Sequence, residues 1–195
     1  MYLSRRRTLH LALATTLGLC FSSFSRWAAA LEREPSGYYL TGNAVRQKKL
    51  GPFRVDVYAI SHFMRDLPPL KSKQAVIAMD TDKAFTWRLL RSLEAKQIRD
   101  ALSDAYAMNS YTDTAKIALF LNAFTAPLPE GTTVQIRYAS ATKTTTLSVA
   151  GGGNASVPGV DFMQGTWSIW FGKIDQSDLG DALIRRIPMP PASSG

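Results

Sequence analysis

Arg46 is the sharpest single candidate for chemistry in this sequence. It sits in a strand-like stretch, residues 38–49, beside the clearest strand of the chain. A guanidinium placed there could fork onto a carboxylate through two parallel N–H bonds; composition alone makes it a surface arginine. His62 could act as a general base, but it shares a strand face with Tyr58 and Ile60 and reads as a hydrogen-bonded structural histidine. Asp80 and Asp82 sit in a turn that lacks the further acids of a calcium loop, so a solvated turn is the better reading. Gly151, Gly152 and Gly153 suggest a phosphate cradle, yet no Lys-Ser or Lys-Thr follows, and a flexible turn accounts for them. Asn154-Ala155-Ser156 forms a glycosylation sequon, without consequence in a bacterial chain. Phe162, Trp167, Trp170 and Phe171 read as core that can also line a pocket for an apolar ligand.

What is missing narrows the chemistry further. The single cysteine, Cys20, and one of the two histidines fall in the first thirty residues. The rest holds no thiol and only His62, which excludes disulfides, thiol nucleophiles and a zinc site built on several histidines. No cofactor motif occurs, so no cofactor and no metal are expected.

Residues 1–30 read as an export signal. Arg5, Arg6 and Arg7 form a basic start, residues 9–19 an apolar run, and Ala28, Ala29 and Ala30 a small-residue cleavage site. The run is too short for a spanning helix, which needs about 20 apolar residues. Ser4-Arg5-Arg6-Arg7-Thr8-Leu9 is similar to a twin-arginine signal, which implies a bacterial periplasmic destination. Bulky Leu19 before Cys20 argues against lipidation. The leader carries four of the 23 basic residues and no acid, which leaves 19 against 15, a net +4 in place of +8. That is ordinary solubility charge, and without a dense basic run nucleic acid is an unexpected partner. The remaining chain, about 165 residues, suits one domain with a substantial core.

The elements that must position these residues follow from hydrophobic period. Residues 53–64 alternate Val55, Val57, Ala59, Ser61 and Phe63 against Tyr58, Ile60 and Met64; apolar residues on both faces predict a central strand covered on both sides. Residues 74–79 and 84–90 read as further strands. Residues 95–108 turn to helical spacing through Ile98, Leu102 and Ala105. Asp113 caps a second helix, which Pro127 and Pro129 end. Residues 132–138 and 144–149 predict a hairpin, residues 151–154 a loop, and residues 160–171 and 177–187 two helices. Arg185 and Arg186 would suit the negative end of the last one. The tail, 188–195, is expected to be disordered. The order predicts an α+β domain over residues 31–187 with a largely antiparallel sheet.

Several short motifs recur in a known order. Gly42-Asn43-Ala44-Val45-Arg46 precedes Val57-Tyr58; Lys96-Gln97 opens the first long helix and Tyr111-Thr112-Asp113 the second; Leu128-Pro129-Glu130-Gly131-Thr132-Thr133-Val134 enters the hairpin; Phe171-Gly172 ends a late helix. In that order the chain resembles the chalcone isomerase-like family over about residues 40–187. The resemblance implies a large antiparallel sheet under a layer of helices, with a ligand site between them. Plant enzymes of the family close a flavanone ring with an arginine and several hydroxyl and amide groups. The arginine falls on Arg46. The other polar positions fall on Phe53, Ile98, Ala105 and Met163, all apolar here. A site without donors stabilises developing enolate charge poorly. The resemblance therefore points to the fatty-acid-binding branch, with a fatty acid or similar apolar anion as partner, held by Arg46 among Phe53, Ile98, Ala105 and Met163, and without catalysis. The other readings are an isomerase or intramolecular lyase using Arg46 and a structural or partner-binding domain without ligand.

Overall fold

The computed structural model describes residues 31–189; the expected export signal and residues 190–195 lie outside the described residues. Six strands form one fully antiparallel sheet in sequence order: β1 (Tyr39–Leu50), β2 (Phe53–Met64), β3 (Lys83–Leu89), β4 (Thr133–Ala139), β5 (Thr144–Val149) and β6 (Asn154–Pro158). Five helices complete the fold: α1 (Lys73–Ala78), α2 (Ala95–Met108), α3 (Thr114–Leu121), α4 (Val160–Phe171) and α5 (Leu179–Leu183). This is the expected α+β architecture.

The sheet is covered on one face only. Inward positions alternate with outward ones: Phe85, Trp87 and Leu89 on β3, Val134, Ile136 and Tyr138 on β4, and Leu147 and Val149 on β5 are buried. α4 lies against them with Phe162, Met163, Trp167, Trp170 and Phe171. Outward residues such as Arg88, Arg137, Thr146 and Ser148 are exposed. The period-two pattern of β3 to β5 is thus the mark of a half-solvated antiparallel sheet.

β2 is not covered on both sides, contrary to expectation. Two bulges explain its pattern. The β1–β2 register steps from Leu40↔Phe63 to Gly42↔His62, leaving Thr41 as an extra residue, and from Arg46↔Tyr58 to Gln47↔Asp56, leaving Val57 extra. Each extra residue inverts the alternation beyond it. Ile60, His62 and Met64 face inward before the second bulge; beyond it the inward parity passes to Val55. One inverted face mimics two apolar faces in the sequence.

Three further expectations are corrected. Residues 74–79 are helix α1, not a strand. Ser72 caps it by accepting from the Ala75 N–H at 3.1 Å, and a six-residue apolar run has no period that separates strand from helix. The loop expected over 151–154 ends in a sixth strand, β6, an edge strand short enough to escape notice. The last helix spans only Leu179–Leu183. Arg186 N–H donates to the Thr41 carbonyl at 2.9 Å, so the chain leaves the helix to pair with β1 and its arginines cap nothing. Among the described residues, no helix is long and apolar enough to cross a membrane.

Candidate functional site

A cleft of about 670 Å³ opens where the far end of the β1–β2 hairpin diverges from α2. Its floor is the sheet: Tyr58 on β2, and Trp87 and Leu89 on β3. One wall is the Ile98, Leu102 and Ala105 stripe of α2; the other is Arg46, Lys48 and Leu50 of β1. Ile169 and Trp170, at the end of α4, close the inner side, and Ile174 and Asp175 follow them along the lining. The volume falls in the range of small-molecule sites, about 300–1,000 Å³.

The walls are set by specific bonds. Glu94 and Gln97 form a reciprocal capping box that starts α2. Tyr106 on its buried side bonds Thr166 of α4 at 2.8 Å, fixing the two helices against each other. At its end, Asn109 donates to the Lys173 carbonyl (3.0 Å) and accepts from the Lys173 N–H (2.7 Å), which joins α2 to the chain after α4. Gln176 then reaches the open edge of β1: its amide accepts from Gln47 N–H at 2.8 Å and donates to the Val45 carbonyl at 3.1 Å. The segment that carries Asp175 is thereby pinned beside Arg46.

Arg46 is the cation of the cleft. Its Nη2 bonds Asp175 Oδ1 at 2.5 Å, and Nη1 bonds the Gln47 carbonyl. The arginine side chain is 17% exposed and Asp175 53%, so the pair sits at the rim with its acid in water. Tyr58 is the cross-strand partner of Arg46. Its ring stacks on Trp87 at 4.8 Å with a 12° tilt. Its hydroxyl accepts from Trp170 Nε1 at 3.0 Å, which leaves the phenolic hydrogen free to donate. Burial pushes the Tyr58 hydroxyl above its ordinary value, against the lowering influence of Trp170 and Arg46, so it stays protonated. A guanidinium and a neutral hydroxyl donor thus sit side by side above an aromatic floor. Other charges lie at the rim: Lys48, Arg91 and Lys173 as cations, Asp100 and Asp104 on α2 as anions.

The candidates from sequence divide. Arg46, Ile98 and Ala105 are brought together in this cleft. Phe53 is not: it is 70% exposed at the turn of the hairpin, which runs past the helical layer. Met163 is not either: it is fully buried in the core. The cleft meets the end of α4, and Met163 lies six residues before Ile169, about 9 Å along the axis at ~1.5 Å per residue. Tyr58, Trp87 and Asp175 escaped sequence reasoning as site residues. Tyr58 carried a signal, the Val57-Tyr58 motif; Asp175 carried none, because its place depends on the Gln176 clamp.

The histidine belongs to a separate, buried cluster. His62 Nε2 accepts from Trp167 Nε1 at 2.9 Å, so Nδ1 carries the hydrogen and donates to Thr41 Oγ1 at 2.6 Å, which in turn donates to the Leu183 carbonyl at 2.8 Å. Burial first, and then the Lys83 ammonium, hold the His62 pKa well below its ordinary value. Lys83 itself caps α1, donating to the Val76 and Met79 carbonyls at 2.7 and 2.9 Å. Its burial brings the ammonium down to about 7. With both ring nitrogens of His62 hydrogen-bonded and its side chain fully buried, the cluster is structural, as the sequence suggested.

Comparison with known proteins agrees with this architecture. No curated protein sequence matches the chain. A solved structure that resembles it, with TM-score 0.61, is the fatty-acid-binding protein AtFAP1 of Arabidopsis thaliana; identity is 15%, over 76% of this chain and 85% of that one. At that identity the likeness speaks for the fold. The family description "chalcone isomerase-like" matches residues 26–184, most of the sequence, and the chain belongs to the chalcone isomerase-like family.

Proposed function

We propose that this protein binds a fatty acid or a similar apolar anion in the cleft and does no chemistry on it. The observation that carries the reading is the pairing of one cation and one neutral donor, Arg46 and Tyr58, at the edge of a cleft otherwise floored by Trp87, Leu89, Ile98, Leu102 and Trp170. A carboxylate can accept from both groups while its chain lies on the aromatic floor. Each methylene taken from water adds about 0.8 kcal/mol, so affinity should climb with chain length until the cleft is full. The fatty-acid-binding fold neighbour supports the ligand class. Ile98 and Ala105 offer no donor to an enolate, which argues against ring closure of an enone. The basic start, apolar run and alanine site of residues 1–30 support export to a periplasm.

Native mass spectrometry of the purified protein, followed by titration with saturated carboxylates of increasing length, tests the reading. Expected are a bound monocarboxylate and affinity that rises with length and then levels. An empty protein that fails to bind any of the series would overturn it, as would turnover of a chalcone at typical enzyme rates of about 1–10³ s⁻¹.

A further inference from the structure

The β1–β2 hairpin extends past the helical layer and ends in Leu50-Gly51-Pro52-Phe53. Gly51 takes φ +59°, as the first central residue of a two-residue primed turn requires, and Leu50 pairs with Phe53 across it. Both are large apolar residues in water: Leu50 is 50% and Phe53 70% exposed. The next register pair is Lys49↔Arg54, two cations directly opposite each other. Like charges in that position destabilise a sheet. Lys48 adds a third cation at the same end. None of the three joins an ion pair among the described residues. The near acid, Asp56, is taken by Gln47 Nε2 at 2.7 Å. The fold gains nothing from this arrangement.

We infer that the hairpin tip docks the protein on an anionic lipid bilayer, with Leu50 and Phe53 entering the headgroup region and Lys48, Lys49 and Arg54 meeting lipid phosphates. The dimensions agree. From the Leu50↔Phe53 pair to the Lys48↔Val55 pair is two residues, about 7 Å of strand, within the roughly 5–10 Å depth of interfacial apolar groups. A protein partner is the poorer fit: a stable interface covers about 800 Å² on each side, far beyond a convex two-residue turn. Leu50 and Lys48 also line the cleft, so a docked tip would set the cleft mouth on the bilayer. That last step rests on the proposed function; the docking itself does not.

Co-sedimentation of residues 31–195 with lipid vesicles tests the docking. The protein should sediment with equimolar phosphatidylglycerol and phosphatidylcholine vesicles and far less with phosphatidylcholine alone. The double variant Lys49→Gln/Arg54→Gln should bind the anionic vesicles about 30-fold more weakly, from two lost surface cations. Phe53→Ser should lose about ten-fold or more. Neither Lys49 nor Arg54 lines the cleft, so the double variant should keep wild-type affinity for a soluble fatty acid; failure of fatty-acid binding in the wild type would sink the ligand reading and leave the docking standing. Wild-type protein that stays in the supernatant with anionic vesicles overturns the inference. So does undiminished sedimentation of both variants, or equal sedimentation on neutral and anionic vesicles. Circular dichroism of each variant separates lost docking from lost fold.

Discussion

Replacing Arg46 by alanine puts the candidate site to its strictest test, because the arginine already has a partner. A carboxylate ligand gains a charge-assisted hydrogen bond from the guanidinium, about 1.5–3 kcal/mol. It must first compete with Asp175, bonded to Nη2 at 2.5 Å but itself half in water. A pair exposed to that degree contributes only about 0–1 kcal/mol. The net loss for Arg46→Ala is therefore about 0.5–3 kcal/mol, roughly 2- to 150-fold in affinity. Arg46→Lys should recover part of it, since an ammonium cannot form the planar fork. The same reasoning gives Asp175→Asn the opposite sign. With the competing carboxylate gone, affinity should rise by up to about five-fold. Titration calorimetry with a saturated fatty acid measures all three, and the matching fatty alcohol serves as control, since its uncharged head should respond little to either change. Arg46→Ala within two-fold of wild type, or Asp175→Asn that weakens binding, would refute the assignment of the head group to this rim.

Three other perturbations follow. His62 is neutral when folded and has its pKa held well below the ordinary 6.5; the unfolded chain takes up the proton first, so the His62 contribution to stability is full above pH 6.5 and falls by about 1.4 kcal/mol per pH unit below it. Lys83 is charged in both states below about 7, and Asp80, Asp82 and Asp161 have values lowered from 3.8, so the window from pH 6 to 4.5 reports mainly on His62; a urea midpoint that stays flat across it would exclude the mechanism. Gly42→Ala would set a Cβ 2.3 Å from the Ala182 carbonyl oxygen and 2.6 Å from the Leu183 carbonyl carbon, where α5 crosses β1; overpacking of this kind costs about 1–3 kcal/mol, and a urea melt equal to wild type would show that α5 moves aside. Exported protein should begin at Leu31, so an intact mass that still includes residues 1–30 would contradict the reading of the leader.

Much of the fold could be read from period. β3, β4 and β5 alternate cleanly because one face is solvated, and α2 and α4 carry apolar stripes at helical spacing over 14 and 12 residues. Where the chain departs from a single period, the reading failed for local reasons. α1 is six residues long and its capping serine was indistinguishable from a turn residue. The site was legible only in part. Arg46, Ile98 and Ala105 fall on the cleft because their elements run where the family order placed them. Phe53 and Met163 miss it, the first because a tight turn carries it past the helices, the second because one helical turn more or less decides which end of α4 meets the cleft. Asp175 became visible only through the Gln176 clamp on β1, a contact between residues about 130 apart in sequence.

The bulge at Val57 ties these threads together. Were Val57 paired in a regular alternation instead of bulged, Tyr58 and Asp56 would share the inward face, and a carboxylate would stand where the cleft needs an apolar wall. With the bulge, Asp56 turns away to Gln47, and Val55, Val57 and Tyr58 all reach the cleft from one strand. The same inversion puts Phe53 on the cleft side beside Leu50, and Arg54 on the back beside Lys49. One inserted residue therefore produces both the apolar wall beside Arg46 and the two-sided tip beyond it. The way to lose both at once is insertion of one alanine between Arg46 and Gln47, which gives Val57 a partner and restores a regular register; it should turn Gln47 and Asp56 inward and Leu50 and Phe53 to the back, abolishing the proposed fatty-acid binding while leaving β3 to β6 paired. Hydrogen exchange that shows β3–β6 as well protected as in wild type, together with lost ligand binding, is the expected result. Retained binding in a folded insertion variant would mean that the cleft does not depend on the bulge.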